Sequence, residues 1–173
     1  GTLLIFDEVI TGFRVALGGA QSLLGVTPDL AVFAKAVAGG FPLAVLAGRR
    51  DIMELLSTQN VMHGGTYNAS VFTIAAGLAT LHELTRDNGV VFAALKARGE
   101  HLMDEIRKLA DKHGEPMSVQ GFGSVFHPAF VSGGVFRNYR EFLNADAPRR
   151  LQFNTALHEE GVRVTARGTW FMS

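Results

Sequence analysis

Two short apolar segments lie within the first 35 residues of the sequence, and each is followed by a charged side chain. The first, residues 3–6, ends at Asp7, and the second, residues 30–34, ends at Lys35. Continuous apolar runs of this length are typical of strands in a parallel sheet that helices cover on both faces. A buried carboxylate or ammonium group costs several kcal/mol unless it has a partner. We therefore expect two buried strands whose charged ends serve a specific purpose.

The composition is that of a globular domain and excludes several classes of function. Hydrophobic residues make up 47% of the 173 residues and charged residues 18%, which argues against disorder. Sixteen basic residues balance sixteen acidic ones, so electrostatics gives no reason to propose nucleic acid or an anionic membrane as a partner. The absence of cysteine excludes disulfides and fits a reducing cytoplasm. No two of the six histidines have metal-ligand spacing, so we expect no metal site.

Strand and helix patterns alternate in the first half of the sequence, which predicts an α/β fold. We expect strands at residues 2–9, 30–34 and 43–47, and helices at 50–56 and 71–84. The turn at residues 87–89, Asp-Asn-Gly, is the best domain boundary and divides residues 1–87 from 88–173. The second part should be an α+β unit. Its predicted elements are helices at 90–112 and 149–160, one or two strands at 119–131, and a strand at 162–165 that could pair with 170–172.

Asp7 and Lys35 together suit one particular cofactor. Open α/β sheets bind ligands beyond the carboxyl ends of their strands, where both side chains are predicted to lie. A lysine in a dry pocket has a lowered pKa and can act as a nucleophilic amine. Pyridoxal phosphate would use both groups, because the lysine forms a Schiff base with the aldehyde and the aspartate keeps the pyridine nitrogen protonated.

Two other interpretations of the same residues stay open. Asp7 could cap a turn while Lys35 extends to solvent, and composition and spacing alone favour this simpler interpretation. A lysine-dependent aldolase without a cofactor is a third possibility, but such an enzyme has no pyridine nitrogen for Asp7 to protonate.

A glycine-rich loop at residues 64–66 precedes the helix predicted to begin near Val71. Backbone N–H groups at a helix N-terminus, together with the Thr66 hydroxyl, can form an anion site. Asn68 or Ser70 could cap this helix. No Gly-Lys-Ser/Thr sequence follows, so the loop is not a Walker loop, and loops of this kind are more often simple turns.

Three segments resemble, in order and spacing, three motifs of one protein family. Residues 4–14 contain Asp7, residues 27–49 contain Lys35, and residues 65–68, Gly-Thr-Tyr-Asn, precede an alanine-rich helix. All three resemble the class III aminotransferases, which are fold type I pyridoxal-phosphate enzymes. The resemblance extends over essentially the whole sequence.

The resemblance implies a role for each of four residues. Asp7 would pair with the pyridinium nitrogen, and Val9 would pack on the cofactor ring. Lys35 would form the Schiff base and then carry the proton between the substrate carbon and the cofactor. Thr66 would bind the cofactor phosphate of the partner subunit, so the enzyme would be a homodimer that acts on a small amino or keto substrate.

The resemblance also implies a fold and a domain arrangement. Residues 1–87 would be part of the cofactor-binding large domain, with a mostly parallel sheet flanked by helices. Residues 88–173 would be the C-terminal small domain, truncated at its end. Because the sequence begins at Gly1 and ends on an apolar segment, we expect it to be a fragment of a longer protein.

Within the family, residues 49–53, 65–68 and 167–173 look most like the glutamate-1-semialdehyde 2,1-aminomutase branch. That enzyme moves an amino group between adjacent carbons of one substrate and uses pyridoxamine 5'-phosphate. Ala38 and residues 68–70 depart from the usual pattern of that branch, and an intermolecular aminotransferase is the alternative. The family's phosphate-cupping loop and ring-stacking aromatic are not in this sequence. The chain alone is therefore expected to hold the cofactor poorly, or only to fold and dimerise, whereas the full-length parent would be active.

Overall fold

The computed structural model describes residues 1–58, 60–132 and 134–172, and the chain divides into two compact units, Gly1–Phe92 and Ala93–Ser173. Ser173, the last residue of the segment that resembles the aminomutase branch, lies outside the described residues. The assignment of residues 1–87 and 88–173 to the large and small domains of the family stays a prediction.

The first unit contains a three-stranded sheet in the order β1-β2-β3, with helices between and after the strands. Its elements are β1 (Ile5–Glu8), α1 (Gly19–Leu24), β2 (Leu30–Phe33), a 3-10 helix (Lys35–Ala38), β3 (Val45–Gly48), α2 (Arg50–Ser57) and α3 (Val71–Thr85). Strands β1 and β2 are parallel, and β2 and β3 are antiparallel. The alternation of strands and helices confirms the predicted α/β class.

The core of the first unit lies where β2 and α3 meet the 3-10 helix. Phe33, Val37 and Ala38 are buried there. Helix α3 approaches closely at Gly77, where an added Cβ would lie 3.0 Å from a Leu43 methyl carbon. The expectation that both faces of the first strand are covered is wrong for this chain, because Ile5 is 57% exposed.

The second unit combines long helices with an antiparallel sheet in the order β4-β5-β6, as predicted for an α+β unit. The boundary between the two units, at Phe92 and Ala93, falls within the first turn of the helix Val90–His113. From residue 86 onward, the elements are a 3-10 helix (Arg86–Gly89), α4 (Val90–His113), β4 (Met117–Phe122), β5 (Val125–Phe130), α5 (Tyr139–Phe142), α6 (Ala147–Glu159) and β6 (Trp170–Phe171). The predicted turn is present, since Asp87 and Asn88 both have left-handed backbone angles, with φ of 49° and 57°.

The strand predicted at residues 162–165 is wrong, because this segment forms a loop. The Thr165 hydroxyl donates to the Thr169 carbonyl at 2.8 Å, and the Gly168 N–H donates to the Thr165 carbonyl at 2.9 Å. These bonds close a local turn in place of a ladder. Trp170 and Phe171 pair instead with β5.

The core of the second unit is formed by α4 and the β4–β5 hairpin. Met103 and Ile106 from the helix pack with Val119 and Phe126 from the strands. No helix formed by the described residues is both long enough and apolar enough to cross a membrane.

Candidate active site

The structure brings Asp7 and Lys35 to the same edge of the sheet. Strands β1 and β2 are parallel, and Asp7 lies opposite Val32 in the register. Lys35 follows Val32 by three positions, just after the end of β2 at Phe33. The carboxyl ends of neighbouring parallel strands therefore carry a carboxylate and an amine, at the position where open α/β sheets bind ligands.

Both side chains are exposed in this chain, contrary to the expectation that they are buried. Successive side chains of a strand point to opposite faces, and here Glu8 is the buried acid while its neighbour Asp7 faces outward. Lys35 stands beyond the last residue of β2, so solvent reaches its amine. The apolar run predicted a buried strand, but it did not predict which of the two adjacent acids is enclosed.

The backbone of Lys35 has an uncommon conformation. Its φ is 48°, in the left-handed region that non-glycine residues rarely adopt. Such a conformation costs about 1–3 kcal/mol and persists where the surrounding structure enforces it. Here the 3-10 helix begins at Lys35, and its buried residues Val37 and Ala38 anchor the turn. The lysine is therefore held by a turn whose own packing is in the core.

Lys35 lines a cleft of about 370 Å³ with Arg14, Ala36, Gly40 and Phe41. Arg14 is half-buried, and this burial lowers the pKa of its guanidinium group. Arg14 is the last residue of the segment 4–14 that resembles a family motif, and the sequence pattern assigned it no role of its own. The signal that could have identified it is its place in the loop that follows the strand bearing Asp7.

The Asp7 carboxylate is oriented by a local hydrogen bond. Its Oδ1 accepts the backbone N–H of Val9 at 3.1 Å. This is a turn cap of the kind that the simpler interpretation of Asp7 describes, and it also fixes the direction of the carboxylate. Val9 is half-buried directly after the strand.

Thr66 lies in an exposed loop that leads into α3. The loop contains a turn in which the Asn68 N–H donates to the Gly65 carbonyl at 3.0 Å. Ser70 occupies the N-cap position of α3, although its hydroxyl makes no cap hydrogen bond among the described residues. Tyr67 is also exposed, so the whole loop presents its side chains to solvent.

Glu8 is a buried acid to which the sequence pattern assigned no role. It is 1% exposed, and its carboxylate accepts the N–H groups of Ala20 and Gln21 at 2.9 and 2.8 Å and the hydroxyl of Thr11. Burial by itself would raise the pKa of Glu8, but these hydrogen bonds together lower it below its ordinary value. The carboxylate is therefore a charged, fully bonded anchor directly beside Asp7.

The charged side chains that line the cleft are the Lys35 amine and the Arg14 guanidinium. Across residues 1–58, 60–132 and 134–172, no group of three or more His, Cys, Asp or Glu side chains is arranged to hold a metal ion.

Comparison with known proteins gives one consistent family. The family model described as "Aminotransferase class-III" matches residues 1–172. A glutamate-1-semialdehyde 2,1-aminomutase of Methanobrevibacter smithii is 42% identical over 163 residues, which is 94% of this chain and 38% of that protein.

Solved structures agree with the sequence comparison. A β-phenylalanine aminotransferase from Variovorax paradoxus has a TM-score of 0.87 at 34% identity, and the match covers all of this chain and 40% of that one. A transaminase with PLP bound has a TM-score of 0.86 at 28% identity, with 100% of this chain and 39% of that chain covered. These neighbours confirm the fold type I architecture.

The match to the family model extends over nearly the whole sequence, from the strand bearing Asp7 to the strand that ends the second unit. The chain spans about 38% of the length of the curated relative from Methanobrevibacter smithii. On this evidence, the chain belongs to the class III aminotransferase family.

Proposed function

We propose that the protein containing this chain is a pyridoxal-phosphate-dependent enzyme that transfers amino groups, with Lys35 as its catalytic residue. The observation that carries this proposal is the register of β1 and β2, which places Asp7 and Lys35 at one sheet edge. The family match and a structural neighbour with bound PLP support it.

The residues present fit this cofactor in chemical type. Asp7 supplies an anion to hold a proton on a ring nitrogen, Lys35 supplies a primary amine, and Thr66 supplies a hydroxyl for a phosphate. When bound, pyridoxal phosphate supplies a ring that accepts electrons from a carbanion next to the substrate nitrogen. Val9 would pack on one face of that ring.

Lys35 and Asp7 would do different work with protons. The Nζ of Lys35 would carry a proton between the substrate carbon and the cofactor, as a general base and then a general acid. Asp7 would keep the proton on the ring nitrogen of the cofactor throughout. The Val9 N–H orients the Asp7 carboxylate. The enforced turn at Lys35 would limit the positions that the amine can reach.

The proposal includes a homodimer in which Thr66 binds the phosphate in the partner's site. The exposed apolar residues next to Thr66 support an interface there. On α3, Val71 and Phe72 are 78% and 81% exposed, and Leu78 on the same helix is also exposed. Apolar clusters of this kind on a surface mark sites of protein association.

The proposed reaction is the conversion of glutamate-1-semialdehyde to 5-aminolevulinate, and the proposed location is the cytoplasm. The curated relative from Methanobrevibacter smithii, which carries the aminomutase name, supports this choice at 42% identity. An intermolecular aminotransferase is the second candidate, because the Variovorax paradoxus structure at 34% identity is a β-phenylalanine aminotransferase.

An assay of the complete protein separates these reactions. With the cofactor added and no amino donor, we expect glutamate-1-semialdehyde to yield 5-aminolevulinate. Lys35→Ala should lower this rate by about a thousandfold or more, because it removes the proton-transferring amine. Lys96→Ala, which changes an exposed lysine on α4, is the matched control and should leave the rate unchanged.

Two results would change the conclusion. A strict requirement for a second amino donor or acceptor would exclude the aminomutase and support the intermolecular aminotransferase. Equal rates for Lys35→Ala and the unaltered protein would contradict the assignment of Lys35.

A further inference from the structure

Glu8 is the one charged side chain that is buried among the described residues of the chain. Its two carboxylate oxygens accept hydrogen bonds from donors that lie 3, 12 and 13 positions further along the chain. Oε2 accepts from Thr11 and Ala20, and Oε1 accepts from Gln21. The carboxylate thus ties both ends of the segment from residue 9 to residue 21 to the end of β1.

The middle of that segment packs against the strand that leads to Lys35. The Gly12 N–H donates to the Glu8 carbonyl at 2.9 Å, which brings Gly12 against the ring of Phe33. An added Cβ at Gly12 would lie only 2.4 Å from that ring. The Phe13 ring meets the same ring edge-on, with 5.4 Å between centroids.

The next residue in the segment lines the cleft of the lysine. Phe33 is the last residue of β2, two positions before Lys35. Arg14 follows Phe13 and lines the same cleft as Lys35 and Ala36. A series of contacts therefore leads from the Glu8 carboxylate, through Thr11 and Phe13, to Phe33 at the end of β2, and Arg14 continues the segment to the cleft of the lysine.

We propose that Glu8 is a positioning residue for Lys35, acting through the segment of residues 9–21. Loss of the carboxylate would loosen this segment and, with it, the end of β2 and the 3-10 helix that begins at Lys35. The functional meaning of this positioning rests on the proposed function, but the coupling between Glu8 and the lysine turn does not.

Glu8→Gln is the sharpest test because it preserves the size of the side chain. An amide has only one oxygen. Its NH₂ group would take the place of the other carboxylate oxygen and would face N–H or O–H groups that now donate to that oxygen. At least one buried donor would lose its acceptor, an arrangement that is expensive inside a protein. Glu54→Gln, at an exposed position on α2, makes the same chemical change as a control.

The measurement is amide hydrogen exchange of the complete protein without cofactor, well below its melting temperature. We expect Glu8→Gln to speed exchange about tenfold in residues 9–21 and also at hydrogen-bonded amides of the lysine turn. Among those amides are Val37, Gly39 and Phe41. Amides of α2 should keep their rates, and Glu54→Gln should change none of these segments.

Faster exchange in residues 9–21 alone would overturn the proposal, because the lysine turn would then be independent of Glu8. An equal increase in α2 would also overturn it, since that pattern indicates a general loss of stability. If Glu8→Gln does not fold, Thr11→Val removes one of these donors and should give the same two-segment pattern with a smaller increase. These results do not depend on cofactor binding, so they stand or fall separately from the proposed function.

Discussion

Asp7 and Glu8 are adjacent acids at the end of β1, and the alternation of the strand gives them opposite surroundings. Glu8 is enclosed by the segment that follows the strand, whereas Asp7 faces outward at the sheet edge. One carboxylate therefore acts as a structural anchor and the other is open to a ligand. The order of the two residues along the strand decides which does which.

His127 shows how burial of a single residue makes stability depend on pH. It lies on β5 with its ring edge-on to Phe142, at 5.1 Å between centroids, and its Nδ1 is 3.4 Å from the Thr169 hydroxyl. Burial lowers the pKa of His127 below its ordinary value of 6.5, and the nearby positive charge of Arg150 lowers it further. Below about pH 6.5 the unfolded chain therefore binds a proton that the folded chain does not.

We predict that the stability of the protein falls as the pH drops from 7.5 to 5, because protons then favour the unfolded state. Urea unfolding at several pH values measures this slope. His127→Gln should flatten the slope, and His101→Gln, at an exposed position on α4, should leave it as it is. An unchanged slope in His127→Gln would show that other groups cause the pH dependence.

At the scale of elements, α4 and the β4–β5 turn approach so closely that they require glycine on both sides. A Cβ added at Gly99 would lie 1.5 Å from the Gly123 carbonyl oxygen, and one added at Gly123 would lie 2.4 Å from the Lys96 carbonyl oxygen. Backbone atoms cannot move aside as a flexible side chain can. The two glycines therefore set the distance between the helix and the hairpin.

Gly99→Ala should consequently destabilise the protein, although the same change in an exposed helix stabilises by about 1 kcal/mol. We expect a loss of roughly 1–3 kcal/mol from overpacking, measured as a lower midpoint of urea or thermal unfolding. Arg98→Ala, at the exposed neighbouring position, should stay within about 0.5 kcal/mol of the unaltered protein. A stabilised Gly99→Ala variant would mean that the helix and the hairpin are further apart than described.

Long elements could be predicted from the sequence because each carries many consistent signals. The helix expected at residues 71–84 is α3, Val71–Thr85, and the one expected at 90–112 is α4, Val90–His113. The alternation at residues 162–165 covers only four residues, which is too short a signal for a strand. A strand also needs a partner, and β5 pairs with Trp170 and Phe171 instead.

In the candidate site, too, local sequence patterns predicted some features, and others depend on contacts between distant residues. Asp7 and Lys35 could be found because each ends an apolar run, and the ends of parallel strands meet at one edge. The burial of Glu8 could not be predicted, because it depends on hydrogen bonds across 12 or more positions. The roles of Val9 and Thr66 came from the family resemblance and stay predictions.

At the scale of the whole molecule, the chain carries Asp7, Lys35 and Thr66 but spans only about 38% of the length of the curated relative from Methanobrevibacter smithii. Three of the four lysines in the sequence lie on α4, so Lys35 is the only lysine of the first unit. The central claim, that Lys35 holds the cofactor, therefore makes a prediction about a single peptide.

The direct measurement is reduction of the complete, cofactor-loaded protein with borohydride, followed by trypsin digestion and mass spectrometry. Reduction fixes the cofactor to the lysine that holds it, and a modified Lys35 resists cleavage. We predict one pyridoxyl label, on the peptide from Val15 to Arg49, and no label in Lys35→Ala. A label on Lys96, Lys108 or Lys112, or no label on any lysine, would contradict the account.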